Sequence, residues 1–300
     1  MSKTVASQFP EGLESQFHRV WWFVALDLIA FWVVCKKKIR KFFGLKAPKV
    51  NSMLYDGLSK YCRDVKDTAT SWRALDIVYN MKPFAKPQNM SERLYNLYYG
   101  MENAQAVRNR RKIIAAEITD AIKRAGAAGH SKVRIMSVAA GSAQSVMEGI
   151  GSVPENVDKV LLLDIDPKAI EHAKNLAVES GIGAKFDGVA AHFKEYSNHA
   201  EPFRPHVVEV AGLLDYLPEN VAVEFFRNIK KRLPRGGTLL TCNIAPNKEQ
   251  YFLKHVINWG RMIYREESEL RGILEQAGFS DIRIFPEPLQ IHQIAVCTAE

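Results

Sequence analysis

The chain has 300 residues, of which 47% are hydrophobic and 25% are charged. This composition excludes collagen-like proteins, low-complexity proteins and proteins made mostly of membrane spans. It predicts a globular protein with a sizeable core. The formal net charge of +8 leaves nucleic acid, an anionic membrane surface or an acidic ligand open as partners.

The four cysteines, Cys35, Cys62, Cys242 and Cys297, are far apart and form no CxxC pair. The spacing therefore predicts neither a zinc ribbon nor a disulfide framework, and we expect a cytoplasmic protein. Basic runs at residues 108–112 and 230–232 come without a recognisable nucleic-acid module, so nucleic acid is a disfavoured partner.

The first strong pattern is an apolar, tryptophan-rich stretch at residues 21–35, followed by the basic run 36–41. A bilayer span needs about 20 apolar residues. This stretch is shorter and has Asp27 inside it, so a transmembrane helix is the weakest interpretation. An interfacial helix and a helix packed on the protein both stay open. We expect peripheral contact with the inner face of the membrane through residues 20–41.

Up to residue 127 apolar positions recur at helical spacing, with breaks at Pro48, Pro83 and Pro87. Ser91 is a candidate N-cap for one long helix over residues 92–124, which Gly126 and Gly129 would end. We therefore predict an all-helical N-terminal cap region at residues 1–127.

From Lys132 short aliphatic runs alternate with amphipathic segments, a pattern typical of βαβ units. Strands are predicted at residues 133–138, 160–164, 184–189, 206–211, 238–243, 282–285 and 290–298, the last two as an antiparallel hairpin. Helices are predicted at 167–180, 218–233, 247–258 and 266–277. Residues 128–300 are therefore predicted to form a doubly wound, mostly parallel, seven-stranded α/β domain.

Ligands of open α/β sheets bind beyond the carboxyl ends of the strands. There the first strand runs into the small residues 137–143, which let a ligand approach the backbone closely. The second strand ends at Asp164, whose carboxylate can accept both hydroxyls of a ribose. The turn has one glycine and no Walker lysine, so the pattern favours a nucleoside ligand without a pyrophosphate.

Four segments resemble motifs of class I S-adenosylmethionine-dependent methyltransferases: residues 135–143, 163–167, 211–217 and 233–239. The form of segment 211–217, Gly-Leu-x-Asp-Tyr-Leu, is similar to a bacterial subset that includes fatty-acid methyl ester biosynthesis enzymes. The resemblance implies a Rossmann-like fold, S-adenosylmethionine as cofactor, and a small acceptor of apolar character, such as a carboxylic acid or a hydroxyl in lipid or secondary metabolism.

The resemblance also implies the cofactor residues of the α/β domain. They are Ser137, Ala139, Ala140, Gly141, Ala143, Asp164, Ile165, His192, Phe193, Ala211, Gly212 and Leu213. The motifs depart from the family pattern, because Ser137 replaces an acidic residue and alanines replace the outer glycines. An acidic residue after the third strand is also missing, and His192 or Phe193 would substitute for it. These departures leave a weakened cofactor site open.

Methyl transfer is an in-line displacement that needs neither a metal nor a nucleophilic side chain. A general base is needed only for some acceptors. Its candidates are Asp215, Tyr216, Tyr251 and His255, although Asp215 is also a candidate cap for the helix after Pro218. On the N-terminal side, Tyr99 and Arg108 are candidates to meet the carboxylate of the cofactor. Alternative functions are a non-catalytic binding or scaffold protein, a nucleotide-dependent oxidoreductase and an RNA methyltransferase.

Overall fold

The computed structural model describes residues 9–300. They form two compact units. One comprises residues 9–13, Asn109–Ala245 and Ile263–Glu300, and the other comprises Glu14–Arg108 and Pro246–Met262. We call them the sheet unit and the helical unit. These units differ from the ranges 1–127 and 128–300 predicted from the sequence, because Asn109–Ala127 belongs with the sheet and Pro246–Met262 with the N-terminal helices.

The sheet unit contains one seven-stranded sheet in the order β3-β2-β1-β4-β5-β7-β6. Strands β1 to β5 run parallel, and β7 pairs antiparallel with both β5 and β6. Their bounds are β1 Val133–Val138, β2 Val157–Asp164, β3 Phe186–Ala190, β4 Val207–Val210, β5 Thr238–Ile244, β6 Asp281–Pro286 and β7 His292–Thr298. The predicted mostly parallel sheet and its terminal antiparallel hairpin are confirmed.

Helices cover both faces of this sheet, as its apolar central strands require. Helices α5 (Glu102–Ala127), α6 (Gln144–Gly151) and α7 (Pro167–Glu179) pack on one face. Helices α8 (Tyr196–Phe203), α9 (Glu219–Lys230) and α11 (Glu267–Gln276) pack on the other. Side chains alternate along a strand, so Ile135 of β1 joins the first layer and Met136 the second.

The helical unit contains α1 (Val20–Phe42), α2 (Lys60–Asp67), α3 (Trp72–Asn80), α4 (Met90–Tyr99), the start of α5, and α10 (Gln250–His255). A π-helical turn, Met53–Gly57, precedes α2. No strand interrupts residues 9–127, which confirms the prediction of an N-terminal helical region. The predicted helix at 247–258 is shorter, because only Gln250–His255 is helical.

The single long helix predicted over residues 92–124 is wrong. Helix α4 ends at Tyr99 and α5 begins at Glu102. The N-cap of α4 is Asn89 rather than Ser91, since the Asn89 side chain accepts the N–H of Glu92 at 3.0 Å.

The apolar stretch near the N-terminus lies in α1. Its inner side chains, including Trp22, Leu26 and Val33, are buried in the core of the helical unit. Among residues 9–300, no helix is both long and apolar enough to span a bilayer. The packed helix that the sequence left open is therefore present, while the opposite side of α1 is exposed.

Candidate active site

The turn that follows β1 has an unusual backbone. Ala139, Gly141 and Ala143 have φ values of +53°, +54° and +50°. Glycine adopts this left-handed region freely, whereas an alanine there costs about 1–2 kcal/mol. The positions at which the family resemblance expects glycine are thus left-handed even where this chain has alanine. Such strain persists where the surrounding structure holds the backbone in place, and it is common at ligand sites.

Asp164, at the end of β2, holds this turn. Its two carboxylate oxygens accept the backbone N–H groups of Gly141 and Asp166, each at 2.9 Å. The N–H of Ala140 also bonds to the carbonyl of Leu163. The structure therefore brings the small-residue turn and Asp164 together, as the sequence predicts. Ile165, directly after Asp164, is 70% exposed beside them.

The Ser137 side chain is fully buried, and its hydroxyl donates to the Glu209 carboxylate at 2.5 Å. Ser137 and Glu209 are directly paired between β1 and β4. Burial raises the pKa of Glu209 to about 7, against the lowering effects of the Ser137 hydrogen bond and the nearby Arg110 charge. Sequence reasoning missed Glu209, although an acidic residue inside a strand covered on both faces was a visible anomaly.

Asp215 is buried, with 4% of its surface exposed. Its carboxylate accepts the N–H of Ile244 at 2.8 Å and lies 3.9 Å from the Arg110 guanidinium. Burial raises the pKa of Asp215 to about 6, while Arg110 opposes the rise. Asp215 does not cap α9, whose N-cap is Pro218 without a side-chain bond. The alternative role of Asp215 as a helix cap is therefore wrong.

Arg265 completes the surroundings of the loop after β4, and sequence reasoning missed it as well. Its guanidinium is buried and donates to the carbonyls of Leu214 and Leu217 and to the side chain of Asn243. The backbone N–H of Ile263, two residues before Arg265, donates to the backbone carbonyl of Asp215. These bonds fix the loop that bears Tyr216, which is partly exposed.

The other cofactor candidates of the sheet unit lie near the ends of β3 and β4. Nδ1 of His192 accepts the N–H of Lys194, so this ring caps the short helical turn that follows. Phe193 packs edge-on against Phe225, with ring centroids 5.2 Å apart. Residues Ala211, Gly212 and Leu213 are half-buried after β4, and Gly212 has a φ of +92°, which permits the sharp exit from the strand.

The remaining predicted residues belong to the helical unit. Arg108 makes a two-point ion pair with Glu14 and lies 3.9 Å from the Tyr99 ring centroid. Its buried Nη1 has no partner among the described residues. The rings of Tyr251 and His255 on α10 pack edge-on, with centroids 4.5 Å apart. Burial lowers the pKa of His255. The roles assigned to these four residues stay predictions.

A family model described as "Putative methyltransferase" matches residues 46–298. No curated protein matches the chain in sequence. Among solved structures, a possible exported protein from Bordetella parapertussis is similar with a TM-score of 0.65 and 15% identity, over 91% of this chain and 96% of that one. An O-methyltransferase family protein from Burkholderia thailandensis gives a TM-score of 0.50 and 14% identity, over 76% and 68%.

At such identities these structures show the fold alone. The strand order β3-β2-β1-β4-β5-β7-β6 is typical of class I methyltransferases, which confirms the predicted fold class. The family match extends over most of both units and confirms the predicted enzyme class. This chain therefore belongs to the putative methyltransferase family.

Proposed function

We propose that the protein transfers a methyl group from S-adenosylmethionine to a small, largely apolar acceptor. One observation carries the cofactor part of this proposal: the left-handed turn at residues 139–143 is tied to Asp164 at the switch point of the sheet. Doubly wound sheets bind nucleoside ligands at this place.

The residues present fit that cofactor. Each Asp164 oxygen accepts one backbone N–H and keeps lone-pair capacity for a ribose hydroxyl. Ala140 has only a methyl side chain and Gly141 has none, which leaves the backbone accessible. The carboxylate missing at Ser137 is present on the neighbouring strand as Glu209, within hydrogen-bond distance of the Ser137 hydroxyl.

The cofactor would supply an electrophilic methyl group on a sulfonium. The residues of the chain would orient it and exclude water. We infer a positioning role for Asp215, because both of its oxygens face partners inside the sheet unit. Tyr216, partly exposed next to it, is then the general-base candidate in this unit, and it would take the proton of the methyl acceptor in its phenolate form. A carboxylic acid acceptor is already ionised and needs no base.

An oxygen acceptor, a carboxylic acid or a hydroxyl, is the finer part of the proposal. It is supported by the likeness of loop 211–217 to a fatty-acid methyl ester subset and by the name of the Burkholderia fold neighbour. We place the enzyme in the cytoplasm, since all four cysteines are free thiols. A scaffold role would be indicated by failure to bind S-adenosylmethionine. Strong, salt-dependent RNA affinity would indicate an RNA methyltransferase.

We expect Asp164→Ala to weaken S-adenosylmethionine binding by about 1.5–3 kcal/mol, because charge-assisted hydrogen bonds to the ribose are lost. Isothermal titration calorimetry measures this change. Asp158→Ala is the matched control, since Asp158 lies on the same strand and is about half exposed. Equal affinity of a folded Asp164→Ala variant and the wild type would refute the ribose assignment.

A further inference from the structure

The outer side of α1 is an extended apolar surface. The side chains on the inner side of α1 are buried in the core of the helical unit, but those on the opposite side are exposed to solvent. We call this surface the α1 face. It consists of Val20, Trp21, Val24, Leu28, Phe31, Trp32, Ile39 and Phe42, each more than half exposed, and continues into Phe43 and Leu45.

The α1 face is too large and too aromatic to be ordinary surface. Trp21 is 65% exposed and Trp32 is 71% exposed. Their spacing with Val24, Leu28 and Phe31 repeats every three or four residues, so all five share one side of the helix. Soluble proteins rarely expose a contiguous apolar patch of this kind unless it binds a partner or a membrane.

Positive charge flanks the α1 face at one end. Lys36, Lys38 and Lys41 are exposed on the last turns of α1, and Lys46 and Lys49 follow directly. The Lys36 ammonium also donates to the Val50 carbonyl at 3.2 Å, and the Lys37 ammonium turns inward to the His255 carbonyl and the Asn258 side chain. Asp27 is the sole acidic residue in α1. An anionic surface therefore complements this helix.

A groove of about 500 Å³ adjoins the α1 face. Ile29, Trp32, Val33 and Lys36 line one side of it, and residues 51–54 line the other. Two of those residues, Met53 and Leu54, are themselves more than half exposed. Apolar walls beside a lysine suit a lipid, whose acyl chain and charged headgroup are adjacent.

We propose that the α1 face binds an anionic phospholipid surface, with α1 lying in the plane of the interface. Tryptophans prefer this interface, and lysines beside it attract anionic headgroups. A second copy of the chain is a poorer occupant. Two such faces would together carry ten exposed lysines from residues 36–49, five in each copy, against one Asp27 in each copy. The proposal concerns the helical unit alone and does not depend on methyl transfer.

The test is co-sedimentation of the full chain with vesicles made of equal parts phosphatidylcholine and phosphatidylglycerol. The double variant Trp21→Ser/Trp32→Ser should bind about tenfold more weakly, because it removes the aromatic anchors. Val178→Ser is the matched control, since Val178 is an equally exposed apolar residue, 67% accessible, on α7. It should bind as the wild type does.

A second pair of variants tests the charge. Lys38→Glu/Lys41→Glu should also lose about tenfold or more in affinity, whereas Lys174→Glu, on an exposed turn of α7, should not. Pure phosphatidylcholine and high salt should both weaken wild-type binding. The proposal is overturned if the wild type ignores anionic vesicles or if both α1 variants bind like it. It is also overturned if the tryptophan variant turns a dimer into a monomer in light scattering while vesicle binding is unchanged.

Discussion

Ser137 and Glu209 form a buried polar pair where an acidic residue would ordinarily stand on β1. The hydroxyl of Ser137 donates to a carboxylate that comes from β4 instead. The carboxyl group is thus moved by one strand rather than lost. Burial of Glu209 is costly, and its pKa of about 7 reports that cost.

This pair makes stability depend on pH. The pKa of Glu209 is raised from 4.5 to about 7 by folding, so the folded state holds a proton that the unfolded state has released between these values. Stability therefore falls as pH rises through this window. Glu209→Gln cannot ionise, so its free energy of unfolding does not fall in this way. The free energy of unfolding of the variant minus that of the wild type should therefore be about 2 kcal/mol larger at pH 8 than at pH 5.

Chemical denaturation at the two pH values measures this difference. Glu171→Gln, an exposed substitution on α7, is the control and should shift nothing between them. The ionisation of Asp215 contributes equally to wild type and variant, so it cancels. A Glu209→Gln effect of the same size at both pH values would contradict the buried-carboxyl interpretation.

Functional residues could be predicted from the sequence where they lie at the end of a predicted strand. Asp164 was recognised because a carboxylate directly after an apolar strand has a defined position in a βαβ unit. The contact between Arg265 and the loop after β4 was not predictable, because it joins residues 48 or more positions apart along the chain. Glu209 lay between these cases, since its strand was predicted but its partner was not.

The break between α4 and α5 is explained by a carboxylate from far along the chain. Glu249 accepts the N–H groups of Glu102 and Asn103 at 3.1 and 2.9 Å, and also binds the Trp22 indole N–H at 3.2 Å. A carboxylate at a helix N-terminus satisfies free N–H groups and complements the helix dipole. The local sequence carries one sign of the break, since Gly100 is the C-cap of α4, but nothing in it points to Glu249.

We expect Glu249→Ala to destabilise the protein by about 2–3 kcal/mol, because it leaves buried donors at the start of α5 without an acceptor. Thermal unfolding followed by circular dichroism measures the loss. Glu179→Ala, at the exposed end of α7, should be nearly neutral. Equal melting temperatures of the two variants would show that Glu249 does not hold the start of α5.

The strands were predictable because their apolar runs in the sequence coincide with the residues that the sheet buries. The bounds of β1 match the prediction at both ends, and every residue of β5 is buried, as its apolar run indicates. Boundaries shifted where a short helical turn adjoins a strand. The turn at Gly183–Lys185, for example, takes the first two residues predicted for β3.

The chain divides into a sheet unit with a complete methyltransferase topology and a helical unit with the α1 face. Composition and periodicity were sufficient for the fold class, since alternating strands and helices admit few topologies. They were not sufficient for the division into units. The segment Pro246–Met262 joins the N-terminal helices through long-range burial, for example of Phe252 against Tyr98.

The proposed methyl transfer from S-adenosylmethionine to a small apolar acceptor can be measured with methyl-labelled S-adenosylmethionine. The protein is incubated with the labelled cofactor and with separate small-molecule, lipid and RNA fractions of a lysate, and the label in each fraction is counted. We expect label in the small-molecule or lipid fraction, with one S-adenosylhomocysteine formed per methyl transferred, and strongly reduced transfer by Asp164→Ala. Label in the RNA fraction alone, or bound cofactor without transfer to any fraction, would show that the proposed function is wrong.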